Sequence, residues 1–383
     1  MQTGKHADPA STTFTEYVLK NGPLLDLILW FSTPATMLCL SRACRRAHAA
    51  ARSHIARCFN VHTHLSRYFA SPQAFRELQE RTGTLISGST ALQFFNRTRY
   101  ASADLDLYCT YDARAEVGWW LIERAGYTFH PNHRQDSYFG LALDEARPPG
   151  APVEEDRYGN LNGISAVYCF RRRVEDADGR DREVEVQLIV AYLNPMEAVL
   201  SFHSTVVLNV ISYSHAYCLY PRATLEHRLA LLLLPDRRVR RGVTDKYKKR
   251  GYAVLRRIPA SPSLSTSSAP GDAAAQERAR ARSVPLGFRC DRHSWVLPVR
   301  ADGAALLPQL HDPCGTAISR DPCSVTTWEM VGGAGARRIH AESVEPVGFG
   351  QSYIVTDRRL RDVMTMVQKL YVDVPTIPDD DTK

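Results

Sequence analysis

At 383 residues the chain is longer than one hydrophobic core usually serves, so two or three structural units are expected. A hydrophobic fraction of 44% and a charged fraction of 23% are those of an ordinary globular protein, and no apolar run approaches the roughly 20 residues a membrane helix needs. The net charge of +7 permits an anionic ligand without requiring one.

The first twenty residues are polar and are expected to fray. No charged start, greasy middle and cleavage site are present, so no secretory signal is expected. From Pro23 the spacing turns helical, with Leu24, Leu25, Ile28, Leu29 and Phe31 recurring on one side. Thr33 is a good N-cap for a second helix with Pro34 at its first position. There Met37, Leu38, Ser41 and Cys44 mark an inner face, and Arg42, Arg45 and Arg46 point to solvent. Two or three short helices therefore fill about residues 23 to 60.

"SPQAFRELQERTG" predicts a helix capped by Ser71 and stopped by Gly83. "TLISG" is a short apolar strand entering a turn, "STALQFFN" a helix, and "DLDLYC" a strand by alternation. "ARAEVGWWLIERAGYTF" reads as a helix ended by Gly126. Two strands, "SAVYCFRR" and "EVEVQLIVA", flank the acidic loop "VEDADGRD". A helix at "NPMEAVLSFH", a strand-like "TVVLNVISY" and a helix over about Leu225 to Leu234 follow. Residues 259–283 are low-complexity and poor in large apolar side chains, which predicts a flexible insertion. Beyond it "FRCDRHSWVLPVR" and "SVTTWEMV" look like strands, and "DRRLRDVMTMVQKLYV" is an amphipathic helix with Leu360, Met364, Val367 and Leu370 on one side. The closing "DDDTK" is expected to be disordered.

The chemistry concentrates between residues 84 and 109. Successive strand side chains alternate, so Asp104 and Asp106 share one face while Leu105 and Leu107 turn to the core. Two such carboxylates repel unless a cation lies between them, and Mg²⁺ suits one or two carboxylates plus phosphate oxygens. Gly88 allows a tight turn and Ser89 opens a helix whose N–H groups would hold phosphate. Strand, turn, helix and strand together amount to a phosphate cradle beside a metal pair.

The set Ile86, Gly88, Ser89, Asp104 and Asp106 resembles the signature of the nucleotidyltransferase superfamily, the polymerase-β-like fold. The resemblance covers about residues 80 to 255. It implies that the aspartates hold metal ions, that Gly88 and Ser89 contact the phosphates of a nucleoside triphosphate, and that transfer is in-line attack on the α-phosphate. A third acid is expected on the neighbouring strand. In "EVEVQLIVA" the face bearing Glu183, Glu185 and Gln187 offers two readings. By apolar context Gln187 stands where the acid would be, whereas Glu185 substitutes if the register differs by two. Wording such as "LISGSTALQFF" and "YPRATLEHR" is also similar to a group of proteins from basidiomycete fungi.

"PLLDLILWFSTPATMLCLSRACRRAHAAARSHI" resembles an F-box. The resemblance implies docking to an adaptor subunit of cullin–RING ubiquitin ligases through Leu24, Leu25, Ile28 and Leu40; the alternative is a helical cap packed on the next domain. In the basic run "RRVRRGVTDKYKKRGY", Lys246, Lys249 or Arg250 would neutralise triphosphate or nucleic-acid charge, against the plainer reading of a solvated helix face. Tyr247 and Tyr252 are base-stacking or packing residues, and His203 is structural. Cys290, His293, Cys314 and Cys323 have zinc-ligand chemistry, but their spacing favours scattered thiols. The nine cysteines form no repeated framework, which points to reduced thiols and a cytoplasmic or nuclear setting.

The expected fold class is α+β: a nucleotidyltransferase-like mixed sheet flanked by helices, with an N-terminal helical unit and a β-rich C-terminal extension. The expected boundaries are 1–22 disordered, 23–65 F-box-like, 66–258 nucleotidyltransferase-like, 259–284 flexible, 285–375 β-rich and ending in a helix, and 376–383 disordered. Two functions remain open: an enzyme using Asp104, Asp106 and Glu185 with Mg²⁺ and a nucleoside triphosphate, or a silent recognition module coupled to a ligase adaptor.

Overall fold

The computed structural model describes residues 15–100, 104–146, 163–175, 181–192, 194–233, 241–256, 294–299 and 321–323, residues 148 and 179, and short strand segments between 310 and 354. The expectations for residues 1–14, the insertion 259–283, the helix from Asp357 and the C-terminal tail lie outside these residues, as do Cys290, His293 and Cys314.

A π-helical turn, Thr15–Leu19, comes first and buries Leu19, so order begins before the expected boundary at residue 22. Three helices follow: α1 (Gly22–Phe31), α2 (Pro34–Ser41) and α3 (Arg45–Cys58). Each starts on a side-chain cap that satisfies an orphan N–H. Asn21 accepts from Leu24 N, Thr33 from Thr36 N, and the Cys44 thiol from Ala47 N. Leu25, Leu29, Met37 and Ala47 close into a small core. On α2 the inner face is narrower than expected, because Leu38 and Cys44 are exposed. The helix stops at Ser41, leaving Cys44 outside it as the cap of α3.

Next come α4 (Val61–Leu65) and α5 (Pro72–Thr82). Ser71 caps α5 and Gly83 ends it at φ +66°, a left-handed conformation that glycine adopts at no steric cost. Then follow β1 (Leu85–Ser87), α6 (Gly88–Asn96), β2 (Leu105–Cys109), α7 (Arg114–Glu123), β3 (Thr128–His130) and α8 (Phe139–Asp144). The hairpin of β4 (Ile164–Glu175) and β5 (Asp181–Ala191) is longer than the apolar pattern suggested. It is followed by α9 (Pro195–Leu200), β6 (Asn209–Ile211) and β7 (His215–Cys218).

The "TVVLNVISY" stretch divides into a 3₁₀ turn, Thr205–Val207, and β6. The helix expected over Leu225–Leu234 is a correction. One π-helical turn, Arg222–Glu226, gives way to strand β8 (Leu229–Leu231). Arg228 at φ +51° breaks the helical path, and β8 then pairs in parallel with β9 (Ala253–Leu255). A short leucine run has no periodicity of its own to separate helix from strand. Helix α10 (Arg241–Lys249) precedes β9, and β10 (Trp295–Pro298) comes after the insertion.

Eight strands form one mixed sheet in the order β10-β7-β6-β1-β2-β5-β4-β3, in which β2 and β5 are the parallel neighbours. Strand β10 pairs with β7 at the edge, so chain beyond the insertion returns to this sheet. Its Trp295 packs against Phe59 and Phe95. The main core lies between one sheet face, carrying Leu105, Leu107, Val186 and Leu188, and a helical layer in which α5 contributes Phe75, α7 contributes Val117 and the α4–α5 connection contributes Phe69. A second cluster, with Tyr108, Ile189, Met196 and Val199, covers part of the opposite face. The architecture is α+β with a large mixed sheet flanked by helices. Among the described residues no helix is long and apolar enough to cross a membrane.

Candidate functional site

The sheet register aligns a polar row. Ser87 on β1 stands opposite Asp106 on β2, Asp106 opposite Gln187 on β5, and Gln187 opposite Cys169 on β4. Cross-strand partners share a face, so these side chains project together, with Leu105 and Leu107 fully buried beneath. Asp104, just before β2, lies beside this row, its Oδ2 3.4 Å from Gln187 Nε2.

The Gly-Ser turn closes on Asp106. Gly88 has φ +68°, and a Cβ there would overlap the Asp106 carboxylate, approaching its Cγ to 3.1 Å. The backbone N–H of Ser89 donates to Asp106. Helix α6 thus directs its Ser89 amide at a carboxylate of the chain itself. Thr90 Oγ1 donates to the Asp104 carbonyl at 2.5 Å, and this anchor continues to Tyr68 Oη at 3.4 Å and to His64 Nε2, which lies 3.1 Å from the Thr90 carbonyl.

Electrostatics follow from this crowding. Burial first, and then the Asp104 charge, push the Asp106 carboxyl up to about 7, against the lowering pull of Lys246 and the Ser89 amide. Burial and Glu185 raise Asp104, again against Lys246. The Lys246 charge thus acts on both aspartates from an exposed position on α10. Lys249, on the same helix, is exposed. Tyr247 and Tyr252 pack with Leu92 of α6 and hold α10 there, which gives them the packing role. The His203 ring sits 6.1 Å from Tyr247, and its pKa is pushed down to about 4 by burial and then by Lys246, as suits a neutral structural histidine.

The residue of β5 opposite Asp106 is an amide. Gln187 is the register partner of Asp106, and its Nε2 donates to Glu185 Oε1 at 3.1 Å and lies 3.4 Å from Asp104 Oδ2. Glu185 is one period earlier on β5. Its other oxygen accepts from Arg171 Nε at 2.9 Å. Among the described residues no group of three or more His, Cys, Asp or Glu side chains is placed to hold a metal ion. The donor set is two carboxylates, Asp104 and Asp106, beside an amide, and it fits a hard cation that completes its shell with phosphate or water oxygens.

Arg171, Cys169 and Thr90 were missed from sequence. Arg171 and Cys169 follow from the hairpin register across the loop 176–180, which a cross-strand count would have paired with Glu185 and Gln187. Thr90 carried no local signal. In the N-terminal unit, Leu24 and Ile28 lie on an open apolar surface with Leu27, Trp30 and Phe31. Leu25 is buried in that unit's own core, and Leu40 packs against the same core. Cys323 is buried, with its sulfur 4.0 Å from Met196 Sδ. No known protein family, curated protein or solved structure matches the chain.

Proposed function

We propose that Asp104 and Asp106 form the cation site of a nucleotidyltransferase-like domain that takes a Mg²⁺–nucleoside triphosphate. The observation that carries this reading is the pair itself: two carboxylates on one sheet face, pressed against the Gly88–Ser89 turn, with Asp106 held far above the ordinary carboxylate range. A divalent cation would relieve that repulsion, and the Lys246 charge, which acts on both carboxyls, supports a role for it in neutralising a triphosphate. When bound, the cation supplies charge neutralisation on the phosphates. The chain's own residues hold the carboxylates in register, orient the Ser89 amide and keep the leucine side of β2 dry.

Titration of the purified protein with Mg²⁺ and each nucleoside triphosphate, followed calorimetrically beside an Asp104→Asn/Asp106→Asn variant, tests the reading. Saturable binding that the variant loses supports it, and absence of binding by the wild type overturns it.

A second reading is favoured by Gln187 and by the fate of Glu185. An amide at the third position, with the nearest acid tied to Arg171, is the pattern of a silent nucleotidyltransferase fold retained for recognition. The exposed apolar surface around Leu24 and Ile28 would then couple it to a ubiquitin-ligase adaptor. Polynucleotide as the acceptor rests on the basic run of α10 alone.

A further inference from the structure

A groove of about 610 Å³ opens where the N-terminal helices meet the far end of α6. Arg57, Arg67, Arg97 and Arg99 line it with one carboxylate, Asp26, and the half-exposed ring of Trp30. Arg57 takes both oxygens of Asp26, at 2.5 and 2.7 Å. Among the described residues the other three arginines form no ion pair.

Neutral acceptors hold two of these guanidinium groups without cancelling their charge. Arg67 Nη1 donates to Gln93 Oε1 at 3.2 Å, and Arg97 donates to the carbonyls of Leu29 and Ser32 at 3.3 and 2.8 Å. Arg97 caps the end of α6 in the left-handed region at φ +55°, which non-glycine residues rarely adopt. Arg67 is half-buried and repelled by Arg99, and burial followed by the Arg67 charge presses His64 into its neutral form. Like charges gathered in a cleft, two of them anchored on neutral oxygens, are organised to receive an anion. The volume suits a small molecule rather than a polymer track.

We infer that this groove binds a small polyanion bearing two or more phosphoryl groups, at a site separate from the aspartate pair. Gln93 and Phe94 of α6 line it, whereas Gly88 at the start of that helix faces Asp106, about 9 Å away at the helical rise. The inference does not rest on the nucleotidyltransferase reading.

The test is calorimetric titration of the full chain with inorganic tripolyphosphate in EDTA. Saturable binding is expected, and Arg99→Glu and Arg67→Gln are expected to weaken it by about tenfold or more. Arg99 is exposed, so its variant keeps the test valid if Arg67→Gln fails to fold. The exposed Arg45→Glu, outside the groove, and Asp104→Asn/Asp106→Asn are expected to bind as the wild type does. No saturable binding, equal weakening by Arg45→Glu, or loss in the double asparagine variant would each overturn the assignment. So would a mixed-sequence single-stranded oligonucleotide that binds more tightly than tripolyphosphate through the same arginines.

Discussion

Gly88 and Asp106 approach so closely that a methyl group on the glycine would occupy the space of the carboxylate oxygen. The turn residue and the second aspartate are therefore one structural unit, although seventeen other residues separate them in the chain. Gly88→Ala meets two obstacles, the positive φ and the overlap with Oδ2. It is expected to cost roughly 2–4 kcal/mol of stability, read as a lowered melting temperature. Gly88→Ala/Asp106→Ala should recover part of that loss, because it removes the overlap and leaves the backbone strain. A wild-type melting temperature for the single variant would refute the close approach.

Asp106 titrates at about 7 in the fold and near 4 in the unfolded chain. Its folded-state value is raised, so it imposes no penalty below about pH 4, and stability falls as the pH rises to about 7. Asp106→Asn removes that penalty. The variant should melt above the wild type at pH 7.5, by roughly 2–6 °C, and level with it at pH 4. Equal melting temperatures at both pH values would show that Asp106 titrates normally.

Gln187→Asp places a third carboxylate in register with Asp106. Without metal the variant should lose roughly 1–3 kcal/mol at neutral pH from added repulsion. Millimolar Mg²⁺ should restore the melting temperature, with affinity raised about tenfold over the wild type. If Mg²⁺ leaves the variant's melting temperature unchanged, no cation occupies the space between β2 and β5.

On α1 the burial of alternate leucines separates packing from display. Leu25→Ala should cost roughly 2–4 kcal/mol, since the side chain is 3% exposed in the small helical core. Leu24→Lys/Ile28→Lys should leave the melting temperature within about 1 °C, because both side chains are on the open surface. If that apolar surface docks to an adaptor, the same lysine pair abolishes co-purification with it. Retained co-purification would remove the adaptor reading.

Much of the local structure was legible because its causes are local. Thr33 with Pro34, and Ser71 with Gly83, mark helix ends through groups within one turn of each other. Alternation in "DLDLYC" and "EVEVQLIVA" assigned each side chain to its face without knowledge of the neighbouring strands. The leucine run after Arg228 failed this treatment, since only pairing with Ala253–Leu255 makes it a strand.

Within the candidate site, the residue types and shared face of Asp104 and Asp106 were fixed by strand period alone. Which residue of β5 meets them depended on the register between strands far apart in sequence, and that register brings Gln187, not Glu185, opposite Asp106. The same is true of Arg171 on Glu185, of the Lys246 charge acting on the aspartates, and of four arginines from three segments gathered in one groove. A side chain's direction follows from its own backbone, but its partners follow from packing, and packing exists only once the chain has folded.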